Sequence, residues 1–356
     1  MSDIAIIGAG AWGTALAIVL GRKGTHRVRL WAHEVEVCES IAKTRINEQF
    51  LPRRCIPESV TANNDLAAVL EGAQIIVSVM PSQHCRELFS RIRTSLRPGT
   101  LIVSATKGLE EGSLLRMSEV IREVLADRNE TEVRPPLSPP LRQDGDFDFS
   151  LGALSGPSFA QEVARGDPTA ITIASDNATL SRTVQQEFSD SSFRVYTNSD
   201  VVGVELGGAL KNIIAIAAGI CDGLGLGHNS IAALITRGLA EMTRLVVACG
   251  GRADTMAGLA GLGDLVLTCT GGLSRNRSVG VELGRGKKLP EIIAGMHGMV
   301  AEGVFTTTAA VGLAHARGVE MPITEQMHAI LHSGKSPREA IQELMSRTGK
   351  SESGDR

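Results

Sequence analysis

The sequence predicts an α/β fold in which an N-terminal Rossmann-type, doubly wound and mainly parallel sheet precedes an all-α C-terminal domain. Three observations carry this. A short apolar strand runs into the turn Gly8-Ala9-Gly10-Ala11-Trp12-Gly13 and then a helix. Further apolar runs recur with helical or loop sequence between them. Beyond about Asn198 strand signals give way to long helical segments rich in Ala, Leu, Ile and Gly.

Asp3 to Ile7 reads as a buried strand, Gly8 to Gly13 as a tight turn, Trp12 to Lys23 as a helix and Arg27 to Trp31 as a second strand. Ile4 to Gly21 is an uncharged stretch that a signal or membrane segment could also provide. Asp3 in place of a basic flank, and three glycines inside it, oppose one continuous helix. Ile75 to Val79, Leu101 to Ala105 and Ala170 to Ala174 supply further strands. Asp127 to Ser150, proline-rich between Arg134 and Pro140 and then acidic, reads as an exposed loop. Helices are expected over Val201 to Ile220 and Ser230 to Cys249. The expected division is 1–197 for the NAD(P)-binding domain, 198–346 for a helical substrate and catalytic domain, and 347–356 for a disordered polar tail.

At 356 residues and 43% hydrophobic, the chain is long enough for two cores. Its 36 basic and 39 acidic residues, absence of a long basic run and 3% aromatics argue against nucleic acid as a partner. Six scattered cysteines without a C-x-x-C pair fit reduced thiols in a cytoplasmic protein, with no membrane insertion expected. The eight histidines show no metal-ligand spacing, so no catalytic metal is expected.

A G-x-G-x-x-G between strand and helix lets the backbone turn tightly, approach a pyrophosphate closely and aim helix N-terminal amides at its charge. Gly8, Gly10 and Gly13 are therefore cofactor-site candidates. The acidic residue that usually binds the ribose 2′-hydroxyl should close the second strand, but that strand runs into Ala32-His33-Glu34. His33 suits a 2′-phosphate, Glu34 suits a free hydroxyl, and both also read as solvated loop residues. NAD and NADP stay open.

Lys107 lies just past the strand Leu101 to Ala105, where such sheets collect ligands, and reads either as an anion contact or as a surface lysine. Ser158, three residues before Gln161, resembles a capping box opening a helix. The same turn would also offer amides to an oxygen-rich substrate. Lys211 stands out because Glu205 is the only other charge between Val201 and Ile220. Burial and a neighbouring cation would lower its pKa and fit it for proton exchange; a lysine snorkelling to water is the alternative. Asp264, after Gly258-Leu259-Ala260-Gly261-Leu262-Gly263, reads as a hydroxyl ligand, as an orienter of the lysine, or as a helix cap. Ser274-Arg275-Asn276-Arg277, in a stretch without acidic residues, reads as a phosphate cradle or a solvated basic loop. His228, following glycines, reads as a turn residue.

Gly8-Ala9-Gly10-Ala11-Trp12-Gly13-Thr14-Ala15-Leu16-Ala17, Ser155-Gly156-Pro157-Ser158, Val204-Glu205-Leu206-Gly207-Gly208-Ala209-Leu210-Lys211-Asn212 and Ser274-Arg275-Asn276 together closely resemble the bacterial NAD(P)-dependent glycerol-3-phosphate dehydrogenase family. The resemblance spans roughly residues 3 to 346. It implies reversible hydride transfer between dihydroxyacetone phosphate and sn-glycerol 3-phosphate, supplying glycerolipid and phospholipid synthesis, by a homodimer. It also implies Lys211 as the proton acceptor in the oxidation. Lys107, Gly156, Ser158, Asp264, Ser274, Arg275 and Asn276 match substrate positions, with Asn212 and Thr268 beside them. Ala11, Trp12, His33, Lys107, Ala160, Arg275, Val300 and Glu302 match cofactor positions, and Phe50 before Leu51-Pro52 is a weaker match. Ala11 stands where serine is common, and the long segment between Asp127 and Ser150 departs from the family pattern. A 3-hydroxyacid dehydrogenase, with a carboxylate in place of the phosphate, is the nearest alternative. A nucleotide sensor without catalysis is a second.

Overall fold

The computed structural model describes residues 2–126, 149–296, 301–349 and 351. Ten strands form in chain order: β1 Ser2–Ile7, β2 His26–Trp31, β3 Ile46–Asn47, β4 Leu51–Cys55, β5 Val60–Asn63, β6 Ile75–Ser78, β7 Thr100–Ser104, β8 Phe149–Ser155, β9 Thr169–Ala174 and β10 Phe193–Asn198. Eight of them make one sheet in the order β10-β9-β8-β7-β6-β1-β2-β5. Neighbours are parallel except β8 and β9, which pair antiparallel through Leu154 and Ile173. The chain leaves β1 towards β2 and β5, then returns to add β6 and β7 on the other side of β1. That reversal opens a crevice at the carboxyl ends of β1 and β6, the usual ligand position in such sheets.

The long apolar runs were legible because β6 is buried throughout and β1 from Ile4 to Ile7. Five other strands were missed. The hairpin β3–β4 carries exposed Pro52 and Arg53, and β10 alternates buried Phe193 and Val195 with exposed Arg194 and Tyr196. β5 is four residues at the sheet edge, and β8 is diluted by Gly152. Phe149 and Ser150, expected in a loop, begin β8; residues 127–148 lie outside the described residues, as do 350 and 352–356 of the expected tail.

The 23-residue helix Val201–Gly223 is the axis of the second layer. Among the described residues it is the one single helix long and apolar enough to cross a bilayer, and 83% of that window is buried inside the protein. His228–Ala248, Asp264–Thr270, Arg275–Gly284 and Glu302–Arg317 wrap it. His228 thus opens a helix instead of sitting in a turn, with Gly227 before it.

Two features fix the axial helix. A Cβ on Gly219 would overlap the Arg277 carbonyl oxygen, and one on Gly280 would overlap that of Ile216, so the two backbones touch. Gly280→Ala is expected to destabilise the fold by about 1–3 kcal/mol through overpacking, read as a lower denaturant midpoint. In addition, the buried Glu205 carboxylate accepts from the Ser118 amide at 2.8 Å, the Ser118 hydroxyl at 2.6 Å and Arg116 Nη1 at 2.7 Å. It caps the Met117–Ala126 helix of the sheet layer from the helical layer, which ties the two together.

Candidate active site

The nucleotide turn follows β1. Gly8 has φ +118°, and a Cβ there would overlap the Val79 carbonyl oxygen, so only glycine fits. Gly13 lets the following helix lie on the Gly8 carbonyl. Gly10 differs: its φ is −63°, and a Cβ built on it meets nothing within 4 Å. The fold does not demand glycine at that position. A pyrophosphate drawn close to the backbone would, and the residues present fit a dinucleotide on that ground. Gly10→Val is expected to weaken NADH binding at least about tenfold, followed by fluorescence titration, with little change in the thermal midpoint.

Ala11 and Trp12 open the helix Ala11–Arg22, and the Trp12 ring lies 6.5 Å from that of Phe193. His33 is exposed past β2, its ring 5.9 Å from Trp31 and edge-on, and half-buried Glu34 precedes the helix Val35–Thr44. Phe50 sits at the β3–β4 hairpin, half-buried against the same core as Ala160, which begins the helix Ala160–Arg165.

Along the row of carboxyl ends lies the charged cluster. Lys107 follows β7, two strands from β1, which at the strand spacing of a sheet is about 10 Å away. Its Nζ donates to Asp264 Oδ2 at 2.7 Å and to the Gly156 carbonyl, past β8, at 3.0 Å. Lys211 on the axial helix donates from Nζ to Asp264 Oδ1 at 2.7 Å and to Thr268 Oγ1 at 2.8 Å. One carboxylate, only 1% exposed, thus bridges two ammonium groups. Burial pushes the Lys211 pKa down to about 8, and the Lys107 charge pushes the same way; Asp264 opposes both. For Asp264, burial works against its charge, but Lys107 and Lys211 outweigh it and hold the carboxyl below its ordinary value. Lys107 is therefore ion-paired and mostly covered, not a free surface lysine.

Two expectations are corrected. Asp264 does not cap the helix Asp264–Thr270, because the chain enters it from the π-helical turn Leu259–Gly263 and the carboxylate is committed to the lysines. Ser158 is not a cap either: the helix begins at Ala160 after Phe159, and the Ser158 hydroxyl donates to the Gly156 carbonyl at 2.9 Å.

Asn212, beside Lys211, accepts from Asn276 Nδ2 at 3.0 Å, and Asn276 Oδ1 accepts from the Gly303 amide at 3.0 Å. Ser274 caps the helix Arg275–Gly284 through the Arg277 amide, which leaves exposed Arg275 as its first residue. Glu302 reaches back to the sheet, accepting from the Ser82 hydroxyl at 2.8 Å and its amide at 3.3 Å. Ser82, fully buried past β6, was missed by sequence reasoning; its place beyond a strand's carboxyl end was the available signal. Val300 lies outside the described residues. Among the described residues no group of three His, Cys, Asp or Glu side chains is arranged to hold a metal ion.

Residues 3–133 and 143–181 match the model of the N-terminus of NAD-dependent glycerol-3-phosphate dehydrogenase, and 200–342 match that of its C-terminus. A glycerol-3-phosphate dehydrogenase [NAD(P)+] of Koribacter versatilis is 66% identical over 99% of both chains. One of Acidobacterium capsulatum is 56% identical over 99% of this chain and 100% of its own. A crystal structure of glycerol-3-phosphate dehydrogenase from Coxiella burnetii superposes with a TM-score of 0.87 at 44% identity, covering 97% of this chain and 98% of that one.

Proposed function

The chain belongs to the family of NAD-dependent glycerol-3-phosphate dehydrogenases, and we propose that Lys211 exchanges the proton of its reaction. It is an NAD(P)-dependent oxidoreductase acting on the secondary alcohol of sn-glycerol 3-phosphate, whose oxidation at C2 gives dihydroxyacetone phosphate. A nicotinamide held by the turn after β1 would take or supply the hydride. Neutral Lys211 accepts the hydroxyl proton in the oxidation, and protonated Lys211 returns it to the forming alkoxide in the reduction. Asp264 holds the Lys211 ammonium in place, and Lys107, on the other carboxylate oxygen, keeps Asp264 ionised and adds positive charge where a phosphorylated substrate would lie. Arg275, with the amides of the helix it opens, binds the phosphate, and Ser274, Asn212 and Asn276 set that helix against Lys211. Gly156 and Ser158 border Lys107 on the substrate side. On the cofactor side, Gly8, Gly10, Ala11, Trp12 and Gly13 would hold the pyrophosphate, with His33, Phe50, Ala160 and Glu302 towards the rest of the dinucleotide.

The observation that carries this reading is the pair of lysines on one buried carboxylate. Two ammonium groups at the sheet's carboxyl ends suit an anionic substrate, and the lowered pKa of Lys211 suits proton exchange near neutral pH. The reading extends to a cytoplasmic homodimer that supplies glycerolipid synthesis, its assembly checked by sedimentation. The testing experiment follows NADH and NADPH oxidation with dihydroxyacetone phosphate and, in parallel, with carboxylate-bearing ketones. Turnover with the phosphate alone is expected. Preference for a carboxylate would overturn the assignment of Arg275, and cofactor binding without turnover would point to a sensor.

A further inference from the structure

Asn47, in the hairpin strand β3, is fully buried, and every polar atom of its side chain is used. Nδ2 donates to the Ala9 carbonyl at 2.8 Å and to Thr14 Oγ1 at 2.9 Å, while Oδ1 accepts from the Phe50 amide at 3.1 Å. Thr14, also fully buried, donates its own hydroxyl to the same Ala9 carbonyl at 3.2 Å. Ala9 lies inside the nucleotide turn, so this carbonyl is held inward by two side chains.

No cis peptide occurs among the described residues, and in a trans peptide the carbonyl and the next residue's N–H point in opposite directions. Anchoring the Ala9 oxygen to the interior therefore turns the Gly10 N–H outward. Gly10 N makes no backbone hydrogen bond among the described residues, and a Cβ built on Gly10 would meet nothing within 4 Å. A rotation of this peptide would reverse the pattern, placing a carbonyl oxygen towards the phosphates and leaving buried Asn47 donors unsatisfied.

We propose that Asn47 is a positioning residue of the cofactor site: its carboxamide sets the Ala9–Gly10 peptide so that the Gly10 amide faces the pyrophosphate, and it ties that peptide to the hairpin at Phe50. The proposal rests on the assignment of the Gly8–Gly13 turn to the pyrophosphate. A carboxamide is required because the site needs two donors and one acceptor at once, which neither aspartate nor leucine supplies.

The test is a fluorescence titration with NADH of the full-length protein and its Asn47→Ala, Asn47→Asp and Thr14→Val variants, each first checked for a cooperative thermal transition. NADH Kd is expected to rise roughly tenfold or more in both Asn47 variants and about threefold in Thr14→Val. The pH at which kcat bends is expected to stay near that of the unchanged protein, because Lys211 is untouched. A general structural defect would instead move both. A folded Asn47→Ala or Asn47→Asp protein whose NADH Kd stays within about twofold of the parent would overturn the proposal. Should neither Asn47 variant fold, Thr14→Val decides: an unchanged Kd overturns the proposal and the threefold rise supports it. Gly10→Val separates the two levels. If it too binds NADH normally, the turn itself is wrongly assigned; if it alone loses NADH, only the role of Asn47 fails.

Discussion

Lys211→Ala is expected to lower kcat by about 10²- to 10⁴-fold in both reaction directions while leaving the NADH dissociation constant nearly unchanged. The size follows from what general acid–base catalysis contributes when one positioned group carries the proton. The direction of the NADH result follows from geometry: Lys211 bonds to Asp264 and Thr268 on the helical layer, whereas the turn after β1 belongs to the sheet. Removing the side chain also leaves Asp264 with Lys107 as its remaining cationic partner, so the fold keeps a neutral pair at its centre. Stopped-flow turnover with a parallel NADH titration checks both halves. Turnover within about tenfold of the parent would reject Lys211 as the proton carrier.

Asp264→Asn has the second large effect, and it acts on pKa and stability together. The carboxylate is the group that raises the Lys211 pKa against burial and against Lys107, so its loss moves that pKa further below about 8. The bends in both pH–rate profiles are expected to move to lower pH. Stability changes with a definite sign. A lysine whose folded pKa lies below its unfolded value binds fewer protons when folded, so the folded state loses ground as the pH falls. Removing one partner of a buried pair costs about 3–5 kcal/mol when the remaining charge is kept. Lys211 can shed its proton instead, so the deficit in thermal midpoint relative to the parent should grow from about pH 9 down to about pH 6. A deficit that is constant over this range would mean that Asp264 acts by shape alone.

Much of this was legible from local chemistry. The glycines at 8 and 13 were readable because backbone geometry demands them, and Lys211 because a lone cation in an apolar helix is costly to bury. The bridge was not legible: Lys107, Lys211 and Asp264 are far apart in sequence and meet only once the sheet and the axial helix are packed. Asn47 and Ser82 escaped for the same reason, since each is an ordinary polar residue until its tertiary partners are known. Ser158 shows the converse failure. Its spacing to Gln161 satisfies a local capping rule, but the turn at Gly156 offers its hydroxyl a different acceptor. Strands β5, β8 and β10 were hidden by short length, small residues or exposed alternate positions, all of which weaken the apolar signal. At the 2′-position His33 and Glu34 carry opposite preferences, so the sequence left NAD and NADP open, and the Koribacter versatilis relative is itself named for NAD(P)+.

On the proposed mechanism Lys211, its pKa lowered by burial and its ammonium held by Asp264, gives and takes the proton. The most direct measurement is the pH dependence of kcat in both directions on the same preparation. Glycerol 3-phosphate oxidation should rise, and dihydroxyacetone phosphate reduction should fall, as the pH passes through about 8, because the first needs neutral Lys211 and the second needs it protonated. Both bends should vanish from the residual activity of Lys211→Ala. Bends that persist unchanged in that variant would place the titrating group elsewhere and rule out Lys211 as the proton carrier.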